Sequence, residues 1–221
     1  MVSDSGLDTE DMSKEDVMDN FRQTVGLIIF CTEPPSIATL AILIGSSSFQ
    51  VMATLSNLHS VLDVTTDLDR PVSPFHLSFI EFLARPTKAH EFQIDERTTH
   101  GFIANRCLAV MMQSGALQQD ICRVRKPGMR RLETKSRIGS HIIESIEPSV
   151  IESHISPALS YACRYWVHHL EAASVMVDDQ HGTLAFLSGW FLYWYEAMAW
   201  LGKASEVPRT LRKLQILTKV G

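Results

Sequence analysis

The segment that most constrains the fold is residues 71–84, PVSPFHLSFIEFLA, where extended backbone must give way to a helix. Pro71 and Pro74 each remove a backbone donor and disfavour helical conformation in the residue before them, so the helix cannot begin before the second proline. Ser78 has the chemistry of an N-cap, and Glu81 three residues later would complete a capping box. The sequence therefore predicts a short strand followed by a helix capped by Ser78. The predicted buried face of this helix carries Phe79, Phe82 and Leu83.

His76 lies at the joint between this strand and this helix. Two interpretations follow from its position. Free amides and a partial positive charge at a helix start attract anions, so His76 could contact a phosphate, although Glu81 in the first turn would oppose it. A histidine in such a place also serves as a hydrogen-bonded structural residue. The local chemistry favours the structural interpretation.

The composition is that of a folded protein without broad affinity for polyanions. The 221 residues are enough for one or two domains with a real core. Hydrophobic residues make up 45% and charged residues 20%, and the net charge of -5 argues against contact with nucleic acid or anionic membrane. Four scattered cysteines form no C-x-x-C pair, and the first twenty residues are acidic and polar, unlike a signal peptide. We therefore predict reduced thiols and a cytoplasmic location.

The pattern of apolar residues divides the chain into three parts. Residues 1–20 are predicted to be an acidic flexible tail that turns helical toward its end, and residues 87–221 an irregular α-helical domain. Residues 21–86 read as three helices, a β-hairpin formed by residues 59–64 and 72–75, and a fourth helix. That order is typical of a winged helix. The predicted fold class is thus mainly α, a winged-helix module with a small β-hairpin followed by a helical domain.

Local signals place the ends of several helices. Ser36 is predicted to cap the second helix and Gly45 to end it, and Asp95 to cap a helix that runs to about residue 114. Residues 117–124 are predicted to form a short helix broken by the Lys-Pro-Gly at 126–128, and residues 129–148 one or two more. Ser156 before a proline is a clear start signal for a further helix.

The last long helix, predicted for residues 181–202, is apolar on both faces and must be buried on both. The run 184–201 is about long enough to cross a bilayer as a tail anchor. Glu196 within it and aromatic residues in mid-span argue against insertion, so we predict no membrane association and burial between helices of a larger assembly. This Trp-rich helix is also a candidate surface for a protein partner.

The segment FHLSFIEFLA at residues 75–84 resembles the winged-helix signature H-x-S-F-x-[DE]-F of NACHT-type NOD-like receptors, which are signal-transducing P-loop NTPases of the STAND class. Other segments are similar to the region that follows the NTPase core in the fungal proteins of this family. They are FRQTVGLIIF (21–30), LSNLHSVLDV (55–64), DICRVRKPG (120–128), ISPALSYACRYWVHHL (155–170) and YEAMAWLGKASE (195–206). The resemblance covers about residues 15–210.

The resemblance implies a role for His76, because the histidine of this motif contacts bound ADP and helps to hold the inactive state in that family. The 221 residues contain no NTPase core of their own. The single Gly-Lys pair, Gly202-Lys203, is followed by Ala204 and lacks the glycine spacing of a phosphate-binding loop, and no Walker B strand is evident. We therefore expect no cofactor, with ADP or ATP bound only if a NACHT domain supplies the site. The chain would be a fragment of such a receptor, either a truncated gene model or a separate remnant.

Two groups of residues resemble a catalytic or a metal-binding constellation. Asp63, His76 and Ser78 suggest a hydrolase triad, but the chain has no G-x-S-x-G elbow and Ser78 is assigned to a cap. Six residues suggest zinc, yet their spacing fits no finger or ribbon and favours core packing: His100, Cys107, Cys122, Cys163, His168 and His169. The sequence predicts neither an enzyme nor a metal site.

The function predicted from the sequence is non-catalytic regulation or protein interaction within a NOD-like receptor system, with a protein partner or the missing NACHT domain. The alternative is a free-standing helical scaffold that binds a partner through its Trp-rich C-terminal helix. A weaker third is DNA binding by the winged helix. Its third helix, residues 49–57, contains no Lys or Arg to contact phosphates or guanine edges, so we expect no nucleic acid partner.

Overall fold

The computed structural model describes residues 13–125, 130–131, 145–177 and 182–218. In these parts the chain is mainly helical with a small antiparallel hairpin, which confirms the predicted fold class. The helices in chain order are α1 Lys14–Phe30, α2 Ile37–Ile44, α3 Ser48–Leu55, α4 Leu77–Leu83, α5 Pro86–Ala89, α6 Glu96–Met112, α7 Pro148–His154, α8 Pro157–Ala172, α9 Gly182–Trp200 and α10 Val207–Leu217. Two 3-10 turns, His90–Phe92 and Ala204–Glu206, follow α5 and α9.

Several helix ends follow the predicted capping signals. The hydroxyl of Ser36 accepts the backbone N–H of Thr39 at the start of α2, and Gly45 ends that helix with φ of 78°. Asp95 caps α6 by accepting from the N–H of Thr98. The first helix begins earlier than predicted, because Ser13 and Asp16 form a capping box inside the segment that was assigned to a flexible tail.

The predicted hairpin is present in shortened form. Strand β1 Leu62–Asp63 pairs antiparallel with β2 Ser73–Pro74, in a register that sets Leu62 opposite Pro74. One further backbone bond extends the pairing, from the N–H of Phe75 to the carbonyl of Val61 at 3.0 Å. A separate parallel pair joins β3 Arg130–Arg131 to β4 Ser145–Ile146. The rest of the 126–144 region, for which a Lys-Pro-Gly break and further helices were predicted, lies outside the described residues.

The helix predicted for residues 117–124 is wrong, since this segment forms turns after α6. Asp120, Arg123 and Arg125 all have positive φ, between 53° and 55°, which a helix does not allow. The side chain of Asp120 accepts from the backbone N–H of Val124 and of Arg125. Glu196 of α9 accepts from the N–H of Asp120 and of Ile121, so α9 holds the turn in place.

One hydrophobic core runs through both predicted modules. It joins fully buried residues of α1 and α2, such as Leu27 and Leu40, to Met111 of α6, Trp166 of α8 and Trp194 of α9. Within it Trp166 and Trp194 meet edge to face, with centroids 6.0 Å apart. The contact between α6 and α8 is the most extensive helix–helix contact of the described chain, and it forms the central seam of the fold. The two predicted modules therefore share a single interior.

Within the described residues, helix α9 is buried along one side and exposed along the other. Phe186, Trp194, Ala197 and Met198 are buried against the core, whereas Leu192 is 75% exposed. Among the described residues no single helix is long and apolar enough to cross a membrane. The bent pair α2 and α3, which meet at 112°, passes that test jointly by length and composition.

Candidate functional site

His76 itself is the N-cap of α4, and the prediction that Ser78 caps this helix is wrong. Its backbone is extended, with φ of -145° and ψ of 141°, and its ring nitrogen Nδ1 accepts the backbone N–H of Ser78 at 3.0 Å. Because α4 begins at Leu77, the N-cap position is that of His76, and Ser78 already lies within the first turn of the helix. The hydroxyl of Ser78 lies 2.8 Å from the same nitrogen, and Glu81 forms an ion pair with Arg85 at 3.9 Å instead of a capping box.

This cap fixes the chemistry of the ring. Because Nδ1 of His76 accepts a backbone N–H, the neutral imidazole carries its proton on Nε2. His76 is exposed, so Nε2 is a hydrogen-bond donor that faces solvent at the start of the helix. The side chain can therefore serve as a cap and as a donor to an external acceptor at once.

Apolar side chains surround His76 along the chain and lie open to solvent. Phe75 is 62% exposed and Leu77 63% exposed, on either side of the histidine. Phe82 of α4 is also exposed, against the prediction that it is buried, while Leu83 is buried as expected. We call Phe75, His76 and Leu77 the His76 face. Exposed aromatic residues beside a solvent-facing donor are a surface suited to another protein domain.

The predicted hydrolase triad is not assembled. His76 and Ser78 do approach each other, but through the capping nitrogen Nδ1, which already binds an amide. The carboxylate of Asp63 forms an ion pair with Arg70 at 2.9 Å. Within the described chain, no hydrogen bond joins Asp63 to His76. The serine therefore lacks an oriented base, and the contact belongs to the helix start.

Of the six residues considered for zinc, the structure brings together three histidines. The rings of His100 and His169 lie 4.9 Å apart, and that of His168 lies 5.3 Å from His169. Cys107, Cys122 and Cys163 are buried, and burial raises the pKa of each thiol, to about 12 for Cys163 and about 11 for Cys122. No group of three or more metal-binding side chains in ligating geometry occurs among residues of the described ranges.

A row of buried and half-buried polar side chains starts from these histidines. His100 of α6 and His169 of α8 are joined by a bond between their Nδ1 atoms, 2.7 Å apart. The Nε2 of His169 lies 2.7 Å from the hydroxyl of Tyr161, which also accepts the backbone N–H of Thr32. The thiol of Cys31 lies close enough to that hydroxyl to interact with it. We call His100, His169, Tyr161 and Cys31 the imidazole row.

Burial controls the protonation of this row. Burial, reinforced by the nearby His100 and His168, lowers the pKa of His169 to about 3. Burial also lowers the pKa of His100, with His168 acting in the same direction and Glu96 against it. Burial raises the pKa of Cys31 to about 12 and that of Tyr161 far above its ordinary value. At neutral pH the row is therefore uncharged, and its thiol is not a nucleophile.

Tyr161 and Cys31 were not predicted from the sequence as members of this row. Tyr161 is eight residues from His169 and on the same helix, but Cys31 is separated from it by most of the chain. A helical plot of α8 would have placed Tyr161 and His169 on one face. No local signal indicates that Cys31 or His100 meets them.

Comparison of the chain with protein-family models, with curated proteins and with solved structures returned no match.

Proposed function

We propose that this protein is a non-catalytic regulatory module that docks on a NACHT-type NTPase domain through the His76 face. The observation that carries the proposal is the hydrogen bonding and the exposure of His76. Its Nδ1 is taken up by the helix start, and its Nε2–H points to solvent between exposed apolar residues. This N–H can donate a hydrogen bond to a phosphate oxygen presented by a partner, and the apolar residues around it can pack against a protein surface.

Charge and composition agree with a protein partner. The net charge of -5 disfavours polyanions, so any phosphate contact is a local one delivered by a docked domain. Helix α3, which a DNA-binding winged helix would place in the major groove, contains no Lys or Arg and exposes Phe49. A surface of this kind favours protein contact over DNA.

The test measures release of a fluorescent ADP analogue from a panel of NACHT-type NTPase domains, with and without this chain added in trans. We expect the chain to bind at least one domain and to slow ADP release several-fold. The substitution His76→Ala should abolish this effect, and His59→Ala, at another exposed histidine of the same module, should leave it intact. If no domain binds the chain, or if the His76 variant behaves like the native chain, the proposal fails.

The alternative function has its own observation, the uncovered side of α9. Leu192, Tyr193 and Tyr195 are exposed there, while the opposite side packs on the core. A scaffold that binds a partner along this helix would lose binding in Leu192→Glu and keep it in His76→Ala. The NTPase-docking function gives the reverse pattern, so the two variants distinguish the two functions.

A further inference from the structure

The imidazole row crosses the central seam of the fold and ends near the surface. His169 is fully buried and His100 is 6% exposed. At the outer end, Nε2 of His100 lies 4.0 Å from a carboxylate oxygen of Glu96, one turn earlier on α6 and itself well exposed. At the inner end, Tyr161 and the N–H of Thr32 tie the row to the end of α1. Three helices therefore meet through one line of hydrogen bonds.

The geometry assigns the direction of these bonds in the neutral state. A carboxylate 4.0 Å from Nε2 of His100 favours an N–H at that atom, so Nδ1 of His100 must accept. Nδ1 of His169 is then the donor across the 2.7 Å contact, and its Nε2 accepts from the Tyr161 hydroxyl. The bonds run from Tyr161 toward His100, and the N–H at Nε2 of His100 lies on the side of Glu96.

One added proton reverses this order. If His100 carries protons on both nitrogens, its Nδ1 becomes the donor and Nδ1 of His169 must accept. The proton of His169 then resides on Nε2 and is donated to the Tyr161 oxygen, and the Tyr161 hydroxyl turns to the sulfur of Cys31. The row takes up one proton from solvent, and each hydrogen bond within it keeps one donor and one acceptor.

The row cannot accommodate a second proton by rearranging its hydrogen bonds. With both rings doubly protonated, two N–H groups would face each other across 2.7 Å between His100 and His169. The titratable groups around the pair offer one compensating charge. Glu96 faces it from α6 and exposed His168 from α8, while Cys31 at the end of α1 and Cys107 of α6 lie near Tyr161. Of these only the carboxylate stabilises a cation at His100.

We propose that the imidazole row is a single-proton switch. One proton taken up at His100 reverses the direction of the hydrogen bonds from His100 to Cys31 while the three helices stay packed. The device transmits acidification at the surface beside Glu96 to the half-buried thiol of Cys31 at the end of α1, and it is independent of any NTPase partner.

The test is solution NMR of the full chain labelled with ¹⁵N in its histidine rings, titrated from pH 8 downward. We expect His100 to become doubly protonated, and His169 to exchange its Nδ1–H tautomer for the Nε2–H tautomer with the same midpoint. A histidine pair that merely packs would show no tautomer change at His169. The switch is refuted if His169 keeps its tautomer while His100 protonates, or if the chain unfolds before His100 takes up a proton.

Two conservative variants sharpen this test. Tyr161→Phe removes the acceptor of the reversed state, and hydrogen bonds within a charged network are the stronger ones. It should lower the midpoint of His100 by about half to one pH unit. Glu96→Gln removes the compensating carboxylate and should act in the same direction. Glu152→Gln, at an exposed carboxylate of α7, is the matched control and should leave the midpoint unchanged. A Tyr161→Phe midpoint equal to that of the native chain would overturn the proposal.

Discussion

The carboxylate of Glu196 accepts the backbone N–H of Asp120 at 3.2 Å, across 76 residues of sequence. Together with the bond from the N–H of Ile121, the Glu196 carboxylate satisfies two backbone N–H groups of a turn that backbone geometry alone does not stabilise. An acidic residue within an otherwise apolar helix thus has a structural partner. Its position follows from the turn and needs no functional explanation.

Replacement of Glu196 by alanine is expected to lower the free energy of unfolding by about 1–3 kcal/mol, because two partly buried amides lose their acceptor. Urea unfolding followed by circular dichroism measures the change. Glu152→Ala removes an exposed carboxylate of α7 and should change stability by less than about 0.5 kcal/mol. Equal effects of the two variants would contradict the role assigned to Glu196.

Gly45 is expected to reject a side chain. Its φ of 78° is left-handed, and a Cβ there would meet the guanidinium of Arg106, whose Nε donates to the carbonyl of Leu43 at 2.6 Å. Gly45→Ala should therefore destabilise the protein by about 1–2 kcal/mol. Gly189→Ala, in the middle of α9 with open space around it, should stabilise by up to about 1 kcal/mol. Thermal unfolding of both variants gives the comparison, and a shift of the same sign in each would be inconsistent with it.

The buried histidines are expected to make the fold acid-sensitive. The unfolded chain protonates His169 near pH 6.5, whereas the folded chain does so only at about 3. The unfolded state therefore binds more protons between these values. The stability that neutral His169 contributes is fully present above about pH 6.5 and is lost as the pH falls toward 3.

Chemical unfolding at a series of pH values checks this dependence. We expect stability to fall by roughly 1 kcal/mol per pH unit for His169 between about pH 6 and pH 4. His169→Gln should be less stable at neutral pH but show a shallower slope, while His59→Gln, at an exposed histidine, should keep the native slope. A native profile that is flat over this range would exclude the assignment.

His76 has a capping role that can be separated from its free donor. His76→Ala should destabilise the chain by about 1 kcal/mol, because the N–H of Ser78 loses its acceptor. Asparagine is a good N-cap, so His76→Asn should recover most of that stability. It would still lack Nε2, so it should not slow ADP release in the NTPase assay. Recovery of both properties by asparagine would show that the ring itself has no function beyond the cap.

The sequence predicted those features whose causes are local. Ser36, Gly45 and Asp95 act within one turn of their own positions, and the structure confirms all three. The wrong prediction of the cap of α4 also has a local cause. A histidine two residues before Ser78 can accept the backbone N–H of Ser78, and serine was chosen because it is the commoner N-cap.

The features that sequence reasoning missed depend on distant contacts. The turn at Asp120 is set by Glu196, and the pairing of His100 with His169 joins residues 69 apart. Periodicity places both histidines on apolar faces but does not say which faces meet. Only the packing of α6 on α8 turns two candidate metal ligands into one hydrogen-bonded pair.

The core that joins residues on the two sides of residue 86 has a consequence for how the chain can be divided. Leu40 before residue 86 and Met111 after it are both fully buried in the same interior. A chain divided at that boundary would leave each part with a solvent-exposed apolar surface and a marked tendency to aggregate. The described residues on the two sides of residue 86 are therefore expected to fold only together.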